Sequence, residues 1–235
     1  MSEHKSYFDI IDIQDNFIVV NKASGINFHD EDNLGQGLFN LVSQFFKQTS
    51  NDKLYPVHRL DKMTSGLLLF ARNLTTAQQF QKLFSQQRVE KYYLAISDKK
   101  PKKKQGLIKG DMEKGRRGSW KLVRSHNTPA ISQFFSYALS EGKRLYLIKP
   151  HSGKSHQIRV ALSSIGAPIL GDERYYGKCC QDRGYLHAYA LNFLLGGKNY
   201  SYRLPPSNGE HYLESATINH LKKLQTPWLI SWPKI

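Results

Sequence analysis

The run from Val57 to Arg72, VHRLDKMTSGLLLFAR, constrains this chain more than any other stretch. Its first part, HRLDKMTSG, holds four ionisable side chains and ends in a Ser-Gly turn signal, so it reads as a loop. The LLLFA behind it is apolar at consecutive positions, the pattern of a strand buried on both faces. One carboxylate, Asp61, is therefore held between basic neighbours at the mouth of a buried strand.

The rest of the pattern supplies the other layers. DNFIVVNKASGI reads as a short buried strand, Phe17 to Asn21, ending in a turn. Leu38, Leu41, Val42, Phe45 and Phe46 share one helical face. Asn73 caps a predicted helix to about Gln87 with Leu74, Ala77, Phe80 and Phe84 inward. VEKYYLAIS alternates as a strand, with Lys91, Tyr93 and Ala95 on one face and Glu90, Tyr92 and Leu94 on the other. Ala130 to Leu139 and Leu145 to Lys149 form a strand pair turning at Glu141-Gly142. A helix follows, with Ser155 as N-cap, Ile158, Ala161, Leu162 and Ile165 as its stripe, and Gly166 and Pro168 ending it. YLHAYALNFLL and NYSYRLP add strands, and the tail from Ser215 is weakly patterned around Trp228 and Trp232. Strands and helices in mixed order with hairpins predict an α+β fold, a mixed, largely antiparallel sheet flanked by helices. One domain over residues 1–235 is expected, with 206–235 as an extension packed on it.

Charge narrows the partner. Lys and Arg number 34 against 19 Asp and Glu, a net +15, beyond what solubility needs, and a polyanion is the expected partner. The excess is concentrated: KKPKKKQGLIKGDMEKGRRGSWKLVR, Lys99 to Arg124, holds eleven basic residues against two acids. A solvated lysine loop would account for the charge alone. Glycines, Arg116, Arg117 and Trp120 interleaved with Lys102, Lys103 and Lys104 point to an RNA backbone. No stretch approaches the roughly 18 apolar residues of a membrane span, and the first twenty residues carry no signal pattern. The two cysteines, Cys179 and Cys180, are adjacent; they suit a reducing cytoplasm and make no zinc site. A soluble cytoplasmic monomer without metal is expected.

Three residues stand out for chemistry: Asp61 on its loop, Tyr93 on a strand and Arg159 at the edge of a helix stripe. Taken singly, each has a plain structural reading, as a turn residue, a half-buried aromatic and a surface charge. HRLDKMTSG, however, matches at every fixed position the H-R-L-D-x-x-T-S-G signature of the RluA-type RNA pseudouridine synthases. VVNKASGI is similar to that family's first motif and VEKYYLAI to its K-x-Y-x-A strand. HSGKSHQIRVALSSIGAPILGDERYYG resembles its G-R-T-H-Q-I-R followed by G-x-P-I-x-G-D-x-x-Y-G, and LHAYAL its L-H-A-x-x-L. The likeness spans roughly residues 15 to 205. Ala23 stands where the family usually has proline, Lys154-Ser155 where it has Arg-Thr, and Ala161 where it commonly has histidine. The short segment ahead of Tyr7 matches the compact members, which lack an extra N-terminal RNA-binding domain.

The resemblance implies the pseudouridine synthase catalytic fold, with Asp61 as catalytic aspartate, Tyr93 as active-site tyrosine, Arg159 as the aspartate's basic partner and Arg59 as a residue that displaces the target base. It places His58, Thr64, Ser65, Lys154, His156 and Gln157 against substrate. The reaction detaches uracil from ribose at a ring nitrogen and rejoins it through a ring carbon, with no redox change and no net hydrolysis, so no cofactor is expected. Asp61 either attacks the anomeric carbon or removes a ribose proton. A guanidinium within about 4 to 6 Å favours its ionised form against desolvation. The target base must leave its stack, at least cost in loops, so a structured rRNA or tRNA stem-loop is the expected substrate. The Gly153–Ser155 turn is a candidate phosphate seat. The rivals are a nucleosidase or glycosidase, which would want a second acid about 5 to 9 Å away, and a catalytically idle RNA-binding or ribosome-assembly module.

Overall fold

Consecutive apolar residues make a stable strand only where both faces are covered, and Ser65–Ala71 is such a strand: all seven residues are buried. The computed structural model describes residues 7–30, 35–50, 53–101, 103–178 and 180–235. Lys102 and Cys179 lie outside the described residues. In chain order the elements are β1 (Phe8–Ile13), β2 (Phe17–Lys22), α1 (Leu38–Thr49), β3 (Tyr55–Pro56), β4 (Ser65–Ala71), α2 (Leu74–Ser85), β5 (Glu90–Ser97), β6 (Gln105–Lys114) and β7 (Trp120–Val123). There follow β8 (Ala130–Ala138), β9 (Arg144–Pro150), α3 (Gln157–Ser164), β10 (Leu186–Leu195), β11 (Lys198–Arg203), α4 (Glu210–Leu213) and α5 (Ser215–Lys223).

The strands join in one sheet of order β1-β2-β4-β10-β5-β9-β8-β6-β7, with β3 on β4 and β11 on β10. Among the described strands every pairing is antiparallel except β4 with β10. That pairing needs Gly66, whose φ is +106°; a Cβ there would stand 2.3 Å from the Ala188 carbonyl oxygen. Ala188 also lies opposite Tyr93, and Tyr93 opposite Ile148. One rung, Gly66–Ala188–Tyr93–Ile148, thus crosses four strands and brings the loop before β4 beside the Tyr93 ring.

Period 2 sorts the central strands between two cores. Ile18, Val20, Leu68 and Phe70 pack against Leu38, Val42 and Phe46 of α1. Phe17, Val19, Leu67 and Leu69 pack on the other face against Phe80 of α2. Each fully buried side chain of this kind contributes about 1.5–3 kcal/mol of transfer free energy. The third core lies under α3 and includes Tyr212, Leu221 and Leu224 of the C-terminal segment, with Trp228 and Trp232 packed on it. The Trp232 ring stands 5.1 Å from that of Phe135 and 5.8 Å from that of Tyr92.

The expected elements form, with four differences. Phe45, predicted on the apolar face of α1, is 40% exposed. Leu74, predicted inward, is 56% exposed; the first turn of α2 packs through Thr76 instead, whose amide donates to Asn73 Oδ1 at 2.8 Å. Ser155 does not cap α3: the helix begins at Gln157 after His156, which adopts a left-handed φ of +58° and gives no side-chain cap. The basic segment is no loop, since β6 and β7 form a hairpin whose lysines and glycines, poor strand formers, conceal its alternation. Gly166, with φ +76°, follows the C-cap Ile165 as expected.

Candidate active site

The Asp61 loop is strapped down from beneath. Its turn closes with the Thr64 amide donating to the Asp61 carbonyl at 3.0 Å. Lys22, at the end of β2 and fully buried, donates from Nζ to the carbonyls of Ala23 at 2.9 Å, Lys62 at 3.1 Å and Thr64 at 2.8 Å. The Gly25 amide and Ser24 hydroxyl add bonds to the carbonyls of Lys62 and Met63. Three carbonyls around one nitrogen are the surroundings of an ammonium, whereas burial draws the pKa of Lys22 down to about 7, opposed by the Asp61 carboxylate. Ala23, where the resemblance expects proline, donates its amide to the Tyr7 carbonyl at 2.9 Å, a bond proline lacks. Lys22→Met removes the donor and leaves buried carbonyls unpaired, so a loss of about 3 kcal/mol is expected. A urea midpoint shift worth less than about 1 kcal/mol would show that the strap is dispensable.

Arg159, buried at the start of α3, bridges two carboxylates. Its Nη1 donates to Asp61 Oδ2 at 3.1 Å. Its Nε and Nη2 form a fork with Asp172 at 2.7 and 2.8 Å. Asp172 is fully buried, and its Oδ1 also accepts from the amides of Arg174 and Tyr175. Burial works against the Arg159 charge, but the Asp172 fork and then Asp61 hold its pKa above the ordinary guanidinium value. The guanidinium also lies 5.1 Å from the Tyr175 ring centroid. The Tyr175 hydroxyl accepts from the Trp120 amide at 2.9 Å and meets His156 Nδ1 at 3.0 Å, tying the basic hairpin to α3.

Two hollows meet at Asp61. One, of about 410 Å³, has Tyr93, Leu60, Phe84, Pro150, Ile158 and Leu186 among its apolar walls, with Asp61, Lys91 and Arg159 at its polar edge. Asp61 is the only carboxylate among the described residues lining it. Burial, and secondarily Asp61, push the Tyr93 phenol far above its ordinary pKa, so it stays protonated. The second is an open groove of about 1340 Å³ running past Phe28, Arg116, Trp120 and Arg174. Arg59 borders both and donates to Ser155 Oγ at 3.1 Å.

The structure brings Asp61, Tyr93, Arg159, Arg59 and His156 together, and gives several other candidates scaffold contacts. His58 Nε2 accepts from the Leu69 amide at 3.0 Å, and burial, with Lys91, lowers its pKa to about 3. The Ser65 hydroxyl is buried between His187 and Arg183 and faces neither hollow. Thr64 touches the smaller cavity but is almost wholly buried. Gln157 is spent on Ser152, Lys154, Ile131 and Ser132, which sets the turn before α3. Lys154 bonds Thr128. The hairpin tip carries exposed Arg116 to the groove, whereas exposed Lys103 and Lys104 lie at the opposite end of β6. The Arg117 side chain is outside the described residues. Sequence reasoning missed Lys22, Asp172 and Tyr175, although each sits inside a motif it quoted, because only the fold shows what they touch.

Comparison with known proteins identifies the family. The family model described as RNA pseudouridylate synthase matches residues 16–164. An uncharacterized RNA pseudouridine synthase of Haemophilus influenzae is 45% identical over 217 residues, 92% of this chain and 95% of that protein. Ribosomal large subunit pseudouridine synthase C of Rickettsia bellii is 32% identical over 189 residues, 78% of this chain and 62% of that protein. The solved structure of human RNA pseudouridylate synthase domain containing 4 superposes with a TM-score of 0.70 at 25% identity, covering 92% of each chain. That of human RNA pseudouridylate synthase domain containing 1, at 21% identity, shares the fold with a TM-score of 0.71. With the HRLDKMTSG loop, the β5 tyrosine and the matched residues on one site, the chain belongs to the RluA-type RNA pseudouridine synthases, a family of isomerases.

Proposed function

We propose that this protein converts specific uridines of structured RNA, in ribosomal or transfer RNA, to pseudouridine, with Asp61 as the catalytic carboxylate, as a cytoplasmic monomer without cofactor. The observation that carries the reading is that, among the described residues, Asp61 is the one carboxylate lining a cavity of about 410 Å³ that also holds the Tyr93 ring and the twice-anchored Arg159 guanidinium. The Tyr93 ring offers a stacking surface for uracil, and Arg59, at the junction of the two hollows, is placed to fill the gap a flipped base leaves. The rRNA assignment leans on the Rickettsia bellii relative, named for the ribosomal large subunit. A hydrolase is disfavoured because Glu90 bonds Lys149, Asn192 and Tyr92 outside the cavity, and both oxygens of Asp172 are tied to Arg159. An idle binding module is disfavoured by the intact Asp61–Arg159 pair. Incubation with RNA labelled with tritium at uracil C5 should release tritium and no free uracil; free uracil would mean hydrolysis, and neither product an idle module.

The groove and hairpin supply the docking surface in this reading. Removing one phosphate contact with Arg116→Ala should lower the slope of log affinity against log salt by about 1. Lys103 and Lys104 lie up to about 30 Å away along β6, at ~3.3 Å per residue, so replacing them by alanine flattens the slope only if RNA runs the length of the hairpin. An unchanged slope in both variants would place the docking surface elsewhere.

A further inference from the structure

Lys91 is a cation with no paired carboxylate among the described residues. It follows Glu90 on β5 and lies two residues from Tyr93, about 7 Å along the strand and on the same face. Its Nζ reaches one acceptor, the Ser152 carbonyl at a long 3.3 Å, and stands 5.8 Å from the Phe84 ring centroid. The adjacent Glu90 is committed to Lys149 at 2.6 Å. Among the described residues no carboxylate pairs with Lys91, although its side chain is half-buried and lines the cavity that holds Asp61 and Tyr93. Burying an ammonium without a counter-charge is costly, and a cost of that kind inside a reaction cavity points to an anion that arrives with the reaction.

The chemistry supplies one. When the bond from C1′ to N1 breaks, both of its electrons stay on uracil and spread over N1, O2 and O4. This holds whether Asp61 forms a C1′–oxygen bond or takes the 2′ proton to leave an unsaturated sugar. The ring then turns and C5 forms the new bond to C1′, displacing the Asp61 oxygen on the first route or with Asp61 returning the proton to C2′ on the second, and the C5 proton passes to water. Lys91 and Tyr93 share one face of β5 and line the cavity that holds Asp61, so a pyrimidine stacked on Tyr93 would have Lys91 beside it. We propose that Lys91 is a further catalytic residue of the synthase, hydrogen-bonding a carbonyl oxygen of the uracil anion while it is detached. The inference rests on the synthase reading above. A phosphate would also find Arg59, Lys154 and Arg159 in this cavity, but the Tyr93, Phe84, Pro150, Ile158 and Leu186 walls add flat apolar surface that a base uses and a phosphate does not. Preorganised charge of this kind acts strongly because little water competes with it.

Lys91 also carries a pH signature, because burial draws its pKa down to about 8. Asp61, Arg59, Lys154 and Arg159 share the cavity wall with it, and its charge opposes protonation of His58 and His151. The profile of kcat/KM for the free enzyme should therefore fall above about pH 8, as the ammonium is lost. Single-turnover pseudouridine formation at saturating RNA, equilibrium binding across a salt series and melting curves test the assignment on Lys91→Met and Lys91→Arg. Lys91→Met should slow the saturated rate by about 100-fold with RNA affinity within threefold and an unchanged salt slope. Lys91→Arg should recover part of that rate and lose the fall above pH 8. A saturated rate in Lys91→Met within threefold of the parent would overturn the proposal; if affinity and salt slope fell with it, Lys91 would be a phosphate contact. If Lys91→Met melts early, the pH profile of Lys91→Arg decides: a fall above pH 8 that survives would also overturn the proposal. A parent protein that binds RNA yet forms no pseudouridine would instead refute the underlying reading.

Discussion

Asp61→Asn is expected to fold, to bind RNA with near-parent affinity and to form no detectable pseudouridine. The fold survives because the turn depends on backbone: the Thr64 amide bonds the Asp61 carbonyl, and Lys22 holds the carbonyls of Lys62 and Thr64. The Asp61 side chain makes one ion pair at 3.1 Å, and Arg159 keeps its fork on Asp172 without it. Loss of a part-exposed pair should cost about 1 kcal/mol or less. Binding should survive because the docking surface proposed here works through cations on phosphate, and Asp61 is not one of them. The chemistry fails on either route, since an amide neither attacks the anomeric carbon nor removes a sugar proton. Tritium release from uracil-labelled RNA, run beside a melting curve and a salt series, provides the measurement. Turnover within tenfold of the parent, a barrier change of only about 1.4 kcal/mol, would remove Asp61 from the catalytic role.

The strands that carry this site were legible because their burial is extreme. LLLFA has apolar residues on both faces, and the structure buries both, one under α1 and one under α2. Asn73, Gly166 and the Glu141-Gly142 turn announced their places through local geometry that few other residues satisfy. The hairpin at residues 105–123 was not legible as strands because Lys, Gly and acidic residues interrupt its alternation, and it is held by pairing with β8 and by the bond from the Trp120 amide to Tyr175, neither of which is local. The same distinction runs through the site. Asp61, Tyr93 and Arg159 stood out through the motif resemblance, while Ser65 and Gln157, quoted from the same motifs, serve buried hydrogen-bond networks. Lys22 and Asp172 are the converse case. Each is a charged residue whose meaning lies in being fully buried, and burial of a single polar side chain amid a motif leaves no periodic trace in sequence.

Asp172 also changes what a test of Arg159 must be. Arg159→Ala would strand a fully buried carboxylate with two bonds removed, and breaking such a pair costs about 3 to 5 kcal/mol. Its loss of activity would be confounded with unfolding. Arg159→Lys keeps one positive charge beside Asp172 and removes the fork, so a single ammonium cannot hold both Asp172 oxygens and reach Asp61 Oδ2 as the guanidinium does. The expected result is a fall in saturated turnover of about 100-fold or more, RNA affinity within about threefold, and a smaller loss of stability than in Arg159→Ala. Single-turnover rates, binding and urea midpoints on the two variants give the comparison. If Arg159→Lys turns over within tenfold of the parent, a charge anywhere near Asp61 suffices and the bridge to Asp172 has no part in catalysis. If instead turnover at saturation is kept while affinity falls steeply, Arg159 acts on RNA phosphate and its bond to Asp61 is incidental.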